Sequence, residues 1–504
     1  MNNVLEYLEE TVLRVPEKTA FQNDSTAMTF SQVYSSARCI GSFLINSGYC
    51  CEPVAVFMNK SPQMIAAFFG VLYSGCYYVP IDEEMPQHRI KLVLDVLKPR
   101  FMICDEVTMQ LAEGVSGCEI SLYSEVSNFK ADESALANVR ETTLDIDPIY
   151  IVFTSGSTGI PKGIAACHRS VIDYIETLSD ALEFGGNTVF GNQSPLCFDA
   201  CLKELYPTIK FGACTVLIPK HLFSFPVKLI EFLNEYKINT ICWVASALSL
   251  VSGMGAFDVL KPEYLHTVAF GSEVFPIKQF HRWREALPNA TFTNLYGPTE
   301  ATGMSCYYRV DRDFEDTEPI PIGKPFPNTG IMLIGEDGQL AKAGEAGEIY
   351  IRGTAVTLGY FRDPDRTEQA YVQNPLNNLY PETVYKTGDL AYVNERGELV
   401  YVSRKDYQIK HMGRRIELGE IEAVCNATDG VEIACCVFDD ANSRIILCYS
   451  GAVEAPFLQE ELKERLPRYM LPHSVYKLGA LPFTLNGKID RNLIKDTYAK
   501  GDKL

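Results

Sequence analysis

Two stretches of the sequence alternate between helical and strand patterns of apolar residues, and this alternation restricts the fold more than any other feature. Within residues 1–150, the segment MTFSQVYSSARCIGSFLINSG has apolar residues at helical spacing, and CEPVAVFMN follows it as a short apolar strand. Residues 226–295 repeat this order of helix and strand. Such alternation is typical of layered α/β proteins with mostly parallel sheets. We therefore predict the α/β fold class.

The chain is too long to form one ordinary hydrophobic core. At 504 residues it is expected to contain two or more domains. After about residue 317 the pattern changes to short strands separated by Gly and Pro, with Asp337-Gly338 at the turn of a hairpin. We predict a large N-terminal domain of layered, mostly parallel sheets and helices with a β-rich subdomain, residues 1–405. A small, mobile α+β domain, residues 406–504, is expected to follow.

The charge and the N-terminus exclude several classes of function. The formal net charge is −19, whereas a nucleic-acid surface needs dense Lys and Arg to meet the phosphate backbone. The first residues, MNNVLEYLEE, are acidic and lack the apolar stretch of a signal peptide. Residues 61–81 carry no charge, but Pro62, Pro80 and two glycines interrupt them. We expect a buried helix and a buried strand there rather than a membrane span. The protein is expected to be cytoplasmic, without membrane insertion.

The sixteen cysteines do not form a metal-binding pattern. None is spaced as C-x-x-C, and most lie among apolar residues, as Cys242 does in NTICWVAS. Cys197 and Cys201 come nearest to a ligand pair, but no matching histidine or second pair accompanies them. A zinc site is therefore not expected. Buried free thiols in a reducing compartment explain the cysteines instead.

The stretch IVFTSGSTGIPKG, residues 151–163, has the composition of a loop that holds phosphate. Gly156 and Gly159 allow backbone N–H groups to converge on an anion, and Lys162 adds a positive charge. Hydroxyl donors come from Thr154, Ser155, Ser157 and Thr158. The Walker A pattern fails at two positions, because a proline precedes the lysine and a glycine follows it, so a P-loop NTPase is disfavoured. For this stretch alone, a Ser/Gly-rich surface turn is the alternative.

Eight further stretches, in order along nearly the whole chain, resemble the motifs of the adenylate-forming superfamily. They are VLYSGCYYVPID (71–82), CFDACLKEL (197–205), NLYGPTEAT (294–302), GEIYIRGTAVTLGYF (347–361), YKTGDLAYV (385–393), GELVYVSRKDYQIKHMGRRIELGEIE (397–422), LPRYMLP (466–472) and PFTLNGKIDR (482–491). The family includes peptide-synthetase adenylation domains, acyl-CoA synthetases and luciferases. Residues 151–163 resemble its phosphate loop. By this resemblance the chain is identified as a member.

The resemblance implies that ATP activates a substrate carboxylate. The carboxylate attacks the α-phosphorus and pyrophosphate leaves, so two anions that repel each other must be neutralised. Tyr296 is expected to stack on adenine, Asn294 to bond its edge, and Thr299 to donate to the α-phosphate. Glu300 is expected to hold Mg2+. The ATP-binding residues implied by resemblance are Thr154, Ser155, Gly156, Ser157, Thr158, Gly159, Lys162, Gly271, Asn294, Tyr296, Gly297, Asp389, Arg404 and Lys488.

The C-terminal motifs imply two half-reactions. By resemblance, Asp389 and Arg404 lie at the ribose, and Lys488 is the principal catalytic residue of adenylation, with Thr299 and Glu300. Members of the family rotate the C-terminal domain after the adenylate forms, about a hinge that corresponds here to Asp406. Rotation would withdraw the lysine and bring in Gly413, which leaves room for a pantetheine arm. Ser403 departs from the glycine that is common before this hinge.

One position in CFDACLKEL favours an amino acid as substrate. Asp199 lies where amino-acid-activating members hold the substrate ammonium, although it could instead cap the following helix. No phosphopantetheine attachment motif follows Lys488, so the product is expected to pass to a separate carrier protein that bears phosphopantetheine. The chain most resembles stand-alone enzymes such as D-alanine–carrier protein ligase, acting as a monomer. Gly271-Ser272-Glu273 departs from the Cys-Gly-Glu of those ligases.

Two other functions and the substrate side chain stay open. An acyl- or aryl-CoA ligase shares the fold, and an inactive binding homologue is a remote alternative. The pocket beyond Asp199 is expected to be lined by Ala200, Lys203, Cys242, Val268, Phe270, Leu295, Gly303 and Met304. Lys203 is the exception among mostly apolar residues. It either reaches solvent or pairs with Asp199, or it meets a second carboxylate of a substrate such as glutamate.

Overall fold

A computed structural model describes residues 1–156, 159–316, 318–405, 407–483 and 489–498. Four of the expected functional residues lie outside these ranges: Ser157, Thr158, Asp406 and Lys488. The predicted division into residues 1–405 and 406–504 stays a prediction.

The helices begin where the sequence supplies capping residues. At the start of Phe30–Asn46, the Thr29 hydroxyl accepts a hydrogen bond from Gln32 N, and the Gln32 side chain accepts one from Thr29 N. Ser61 caps Pro62–Tyr73, which begins with a proline. In chain order the described helices are α1 Leu5–Arg14, α2 Phe30–Asn46, α3 Pro62–Tyr73, α4 Gln87–Leu97, α5 Met109–Val115, α6 Tyr123–Val126, α7 Glu133–Thr142, α8 His168–Leu182, α9 Leu202–Phe211, α10 Pro226–Glu235, α11 Ala245–Gly253, α12 Ile277–Ala286, α13 Pro364–Ala370, α14 Leu418–Asn426, α15 Ala455–Arg465 and α16 Arg491–Tyr498.

The strands are short and mostly buried. In chain order they are β1 Thr19–Gln22, β2 Ala27–Thr29, β3 Pro53–Phe57, β4 Tyr77–Pro80, β5 Phe101–Cys104, β6 Glu119–Leu122, β7 Pro148–Thr154, β8 Lys162–Cys167, β9 Val189–Asn192, β10 Cys214–Leu217, β11 Thr240–Val244, β12 Thr267–Gly271, β13 Thr291–Tyr296, β14 Cys306–Arg309, β15 Lys324–Pro325, β16 Thr329–Ile334, β17 Gly347–Gly353, β18 Gly359–Tyr360, β19 Tyr371–Gln373, β20 Thr383–Val393, β21 Leu399–Arg404, β22 Gln408–His411, β23 Arg414–Glu417, β24 Val431–Asp439, β25 Arg444–Gly451 and β26 Ser474–Lys477.

Two large sheets form most of the N-terminal part. The nine-stranded sheet has the order β15-β14-β13-β12-β11-β9-β10-β1-β2, and its six central strands are parallel. The seven-stranded sheet has the order β18-β8-β7-β4-β3-β5-β6, with five parallel strands from β7 to β6. Helices α2, α3, α8 and α9 join both sheets in the largest hydrophobic cluster. The α/β fold class is therefore confirmed.

Antiparallel β structure follows, as the change of sequence pattern predicts. Strands β16, β17, β20, β19 and β21 form a five-stranded sheet, and Gly338 adopts φ +75° in the turn after β16. The C-terminal part contains the β22–β23 hairpin and a three-stranded sheet of β24, β25 and β26, which α14 and α15 cover. In the hairpin, Met412 and Gly413 both have positive φ, which is the geometry of a type I′ turn.

Two further sequence predictions concern buried segments and thiols. Residues 61–81 form helix α3 and strand β4, as expected, and both are largely buried. Within the described residues, none of the helices combines the length and the apolar character that crossing a bilayer requires. All sixteen cysteines are free thiols, and most of them are buried, as their apolar neighbours in the sequence predict.

Helices α2 and α3 approach closely because glycines lie where they cross. A Cβ atom on Gly70 would lie 2.6 Å from the Ile40 Cβ, and one on Gly41 would lie 2.6 Å from the Tyr73 Cβ. We predict that Gly70→Ala lowers the unfolding temperature, since overpacking of a core costs about 1–3 kcal/mol. Gly114→Ala in α5 is the control, because nothing lies within 4 Å of its added Cβ. Calorimetry of both variants checks this, and equal unfolding temperatures would contradict it.

Candidate functional site

The stretch from Thr154 to Lys162 closes a hairpin between antiparallel strands, and it does not connect a strand to a helix. Thr154 and Lys162 are register partners at the ends of β7 and β8. This topology agrees with the sequence argument against a Walker A loop, in which a helix follows the glycines. Gly156 fits because a Cβ there would lie 2.1 Å from the Ile160 carbonyl oxygen. Among the described residues, Thr154 Oγ1 is buried and has no hydrogen-bond partner, so it is available to a ligand.

Glu300 is fully buried beside the phosphate loop and the β22–β23 hairpin. Arg415 Nη1 donates to both of its carboxylate oxygens, at 2.8 and 2.7 Å, and the Tyr360 hydroxyl donates at 2.7 Å. Lys162 Nζ lies 3.7 Å from the same carboxylate. Burial alone would raise the pKa of Glu300, but Arg415 and Lys162 outweigh it and lower the pKa to about 2. Glu300 is therefore ionised at neutral pH.

Lys162 is a buried cation among several charges. Its Nζ is 3.6 Å from Glu417 Oε1 and 5.3 Å from the centre of the Tyr360 ring. Burial, and next the charge of Arg415, lower the pKa of Lys162 to about 8, although Glu300 and Glu417 oppose that shift. The phosphate loop therefore presents a cation that stays mostly charged at neutral pH.

Asp389 and Arg404 are brought together, as the sequence motifs imply. They are register partners on β20 and β21, and Arg404 Nη1 donates to Asp389 at 2.8 Å. The Tyr296 hydroxyl donates to the other Asp389 oxygen at 2.6 Å. Each carboxylate oxygen still has acceptor capacity, so Asp389 can accept from ribose hydroxyls. Asn294 donates its amide to the carbonyl oxygens of residues 320 and 321, so only its own carbonyl oxygen could make the expected contact with adenine.

A cavity of about 70 Å³ lies between the large sheets and the β22–β23 hairpin. Eleven of the expected residues line it: Thr154, Ser155, Asp199, Ala200, Gly297, Thr299, Gly303, Met304, Asp389, Arg404 and Gly413. The remaining expected residues in the described ranges are not among those that line it. The cavity thus connects the expected ammonium anchor, Asp199, with the expected ribose ligand, Asp389.

Asp199 does not cap a helix, so that alternative is wrong. Residues Asp199–Cys201 form a 3-10 turn before α9, and neither this turn nor α9 has a side-chain cap. The turn also means that Lys203 is not one regular helical turn beyond Asp199. Burial raises the pKa of Asp199, while a hydrogen bond with Thr299 and the charge of Lys203 oppose the rise. A cationic ligand at Asp199 would compensate the same burial.

Lys203 is 3% exposed, so its side chain does not reach solvent. In the described part of the chain no carboxylate oxygen, including those of Asp199, lies within 4 Å of its ammonium group. The two simpler explanations of Lys203 are therefore both wrong. The neighbouring Glu204 is fully buried and accepts from the Asn192 amide at 2.9 Å. Burial raises the pKa of Glu204 to about 7, although Lys203 opposes this.

The expected pocket residues Val268 and Phe270 face the wrong side of the nine-stranded sheet. Both belong to a cluster on the far face, where Phe270 contacts Phe275 with ring centres 5.0 Å apart. Ala269, between them, belongs to the cluster that contains α9, Cys242, Leu295 and Met304. Successive side chains of a strand point to opposite faces, so an alignment error of one residue reverses the assignment. The assignment of Val268 and Phe270 to the pocket is therefore wrong, and Ala269 is the residue of this part of β12 that packs on the same side as Leu295 and Met304.

Several residues at the site were not singled out from the sequence. Arg415, Lys410 and Glu420 lie within the motif at 397–422, and Tyr360 lies within the motif at 347–361. Glu273 accepts from Ser246 N at 2.9 Å and from Gly413 N at 2.8 Å, so it holds the tip of the β22–β23 hairpin. Their presence in recognised motifs was the available signal, because their contacts join segments far apart in the chain.

Comparisons with known proteins agree along almost the whole chain. The sequence profile of the family described as AMP-binding enzyme matches residues 8–361. The chain is 30% identical to an L-proline--[L-prolyl-carrier protein] ligase of Streptomyces coelicolor, covering 95% of each protein. It is 29% identical to a D-alanine--D-alanyl carrier protein ligase of Bacillus anthracis, covering 97% of this chain and 98% of that one.

Two other matches define the extent of the similarity. The chain is 31% identical to a dimodular nonribosomal peptide synthase of Bacillus subtilis but spans only 20% of that protein's length. The Vibrio cholerae adenylation domain AlmE, solved in complex with glycyl-adenosine-5'-phosphate, superposes with a TM-score of 0.86 at 19% identity, covering 99% of this chain and 98% of that one. At this identity the superposition establishes the fold alone.

We predict that Asp389→Asn weakens ATP binding by roughly 10- to 100-fold, because a charged hydrogen bond contributes about 1.5–3 kcal/mol. Titration calorimetry with ATP measures the change. Asp337→Asn, in the exposed turn after β16, is the matched control and should bind ATP like the wild type. Thermal unfolding without ATP shows whether the Asp389 variant remains folded. Unchanged affinity in a folded variant would exclude Asp389 from the nucleotide site.

Proposed function

Because this chain belongs to the AMP-binding enzyme family, we propose that it is an ATP-dependent ligase that activates an amino acid and passes it to a separate carrier protein. ATP and the amino acid would form aminoacyl-AMP and pyrophosphate. The aminoacyl group would then be transferred to the phosphopantetheine thiol of the carrier. The matches to proline and D-alanine carrier protein ligases over nearly their full lengths support this activity.

The observation that carries the proposal is that two carboxylates, Asp199 and Asp389, line one cavity. Thr299 lies on its wall. An amino acid bound through its ammonium group to Asp199 would direct its carboxylate towards Thr299. A nucleotide bound through its ribose to Asp389 would bring its α-phosphate to the same place. Reactants held in this way need no further orientation before attack.

The cations and hydroxyl groups would stabilise the charge that the reaction redistributes. Attack of the carboxylate oxygen on the α-phosphorus forms the new P–O bond, and the bond to pyrophosphate breaks. Thr154, Ser155 and Lys162 would bind the departing phosphates, and Thr299 would donate to the α-phosphate. Lys488, which lies outside the described residues, is proposed to supply the cation between the two reacting anions.

We propose that Mg2+ binds to Glu300 only in an arrangement of the site that differs from this one. Glu300, the expected ligand, accepts hydrogen bonds from Arg415 on both oxygens, so in this arrangement it does not fit a metal ion. No cluster of three or more His, Cys, Asp or Glu that could hold a metal occurs in the ranges that the structure covers. We assign no step to the metal here.

The docked β22–β23 hairpin supports a role in the second half-reaction. Gly413 and Lys410 both line the cavity, and the Gly413 Cα lies against Val244, where a Cβ would be 2.2 Å from Val244 Cγ1. A pantetheine arm approaching beside Gly413 would reach the acyl group held near Asp199. Burial lowers the pKa of Lys410, so its proton is held less tightly beside the reacting groups. We propose a monomeric cytoplasmic enzyme that works in this way.

Exchange of radiolabelled pyrophosphate into ATP tests the function. The assay is run with all proteinogenic amino acids, with D-alanine, and with matched acids that lack the amine. Exchange that requires an amino acid supports the proposal. Exchange with amine-free acids, followed by thioester formation on coenzyme A, would indicate an acyl- or aryl-CoA ligase. Absence of exchange with every substrate would indicate an inactive homologue.

Lys488 and Gly413 should affect opposite half-reactions. We predict that Lys488→Ala lowers pyrophosphate exchange by orders of magnitude, since loss of a transition-state donor costs roughly 3–4 kcal/mol, while ATP binding persists. Gly413→Ala should leave exchange nearly normal and depress thioester formation on pantetheine, because its Cβ collides with Val244 in the docked arrangement. Equal losses in both half-reactions for either variant would contradict the assignment.

The burial of Lys203 leads to a prediction about the substrate. A buried ammonium group with no carboxylate oxygen within 4 Å in the described residues is costly, so we predict that a second carboxylate on the substrate meets it. Lys203→Ala should weaken transition-state stabilisation for glutamate or aspartate by about 2–3 kcal/mol and leave the activity on small neutral amino acids unchanged. Lys210→Ala, on the same helix but paired with Glu176, is the control. A wild-type preference for alanine, glycine or proline would contradict this prediction.

A further inference from the structure

The segment from Arg415 to Glu420 contacts the phosphate loop through three hydrogen bonds. Ser155 Oγ donates to the Arg415 carbonyl oxygen at 2.8 Å and accepts from Glu417 N at 3.2 Å. Gly156 N donates to Glu420 Oε2 at 3.1 Å. The loop that the sequence assigns to phosphate therefore binds another part of the same chain.

Two carboxylates of this segment lie at the groups that would hold phosphate. Glu420 is 1% exposed in its side chain and accepts from a backbone N–H of the loop, and its other oxygen pairs with the buried Arg89. Glu417 Oε1 lies 3.6 Å from Lys162 Nζ. A backbone N–H of a glycine-rich loop and a lysine ammonium are the usual ligands of a phosphate. Here both of them face carboxylates instead.

Glu300, which lies 3.7 Å from Lys162 Nζ, is also paired with this segment. Arg415, from the same segment, donates to both oxygens of Glu300. The ion pair with Arg89 accounts for the burial of Glu420, because burying an ionised group is costly unless it is paired, but it does not account for the hydrogen bond from Gly156 N to the second oxygen of Glu420. The placement of Glu417 and Glu420 therefore indicates that they replace an anion.

We propose that Glu417 and Glu420 occupy the pyrophosphate subsite whenever the β22–β23 hairpin is docked. This inference rests on the proposed function. Pyrophosphate and the docked hairpin then exclude each other, so docking follows pyrophosphate release. During transfer, pyrophosphate cannot attack the α-phosphorus of aminoacyl-AMP, expel the carboxylate and regenerate ATP with free amino acid. The two carboxylates thus make activation effectively irreversible at the moment when the thiol reacts.

The test is a single-turnover partition experiment. Enzyme loaded with radiolabelled aminoacyl-AMP is mixed with pantetheine and increasing pyrophosphate, and the yields of thioester and ATP are measured. The assays run at pH 8, above the pKa of Glu420, which burial raises to about 7. For Glu420→Gln and for Glu417→Gln, the pyrophosphate concentration that halves the thioester yield should fall at least fivefold relative to the wild type.

Two controls distinguish this role from a structural one. Glu422→Gln, on the same helix, removes a carboxylate that pairs with Arg491 and should leave the partition unchanged. Arg89→Met breaks the ion pair of Glu420 but keeps its carboxylate at the loop, so it should slow transfer without the fivefold change in pyrophosphate sensitivity. Equal sensitivity of the Arg89 and Glu420 variants would overturn the proposal, since Glu420 would then act only by holding the hairpin in place.

A binding measurement separates this proposal from the proposed function. Titration calorimetry of pyrophosphate into the full-length enzyme, without amino acid or ATP, requires no catalysis. Glu420→Gln should bind pyrophosphate at least fivefold more tightly than the wild type, and Glu422→Gln should not. Unchanged pyrophosphate affinity in the Glu420 variant overturns the inference. Absence of pyrophosphate exchange with every amino acid overturns the proposed function instead.

Discussion

The buried ion pair between Glu300 and Arg415 is the interaction on which this arrangement of the protein depends. Glu300 follows the last parallel strand of the nine-stranded sheet, and Arg415 belongs to the β22–β23 hairpin near the C-terminus. Removing either partner would leave a buried, unpaired charge, which typically costs about 3–5 kcal/mol. The pair joins the hairpin to the large sheet, beside the contacts that Gly413, Ser155 and Glu420 make between the same parts of the chain.

The parallel sheets explain why the site forms where it does. The carboxyl ends of β11, β12 and β13 lie at one edge of the nine-stranded sheet, so the loops that follow them meet there. Glu273 and Thr299 come from these loops. Glu273 accepts a hydrogen bond from the backbone N–H of Gly413, which lies 140 residues further along the chain. The five-stranded sheet brings Asp389 to the same place, where Tyr296 donates to it. Distant segments of the chain thus build one site.

Much of the fold was predictable because local patterns determine local structure. Residues 61–81 became helix α3 and strand β4, and the turn containing Gly338 formed where expected. The pocket residues were harder to predict, because a strand shifted by one residue shows its other face. Val268 and Phe270 were assigned to the pocket, whereas they pack on the far face of the sheet and Ala269 packs on the side of Leu295 and Met304. The hydrophobicity of β12 did not indicate which of its faces lines the pocket, because the strand is buried on both sides.

The sequence by itself determined the family and the α/β class, and it predicted the residues of a nucleotide site, since these follow from ordered motifs and from the periodicity of apolar residues. Only the tertiary structure decided which charges meet. That Arg415 neutralises Glu300, that Glu420 binds Gly156, and that Lys203 is buried without a carboxylate within 4 Å in the described residues all depend on contacts between distant segments. Such pairings are set by the packing of sheets and hairpins in three dimensions, and no local pattern records them.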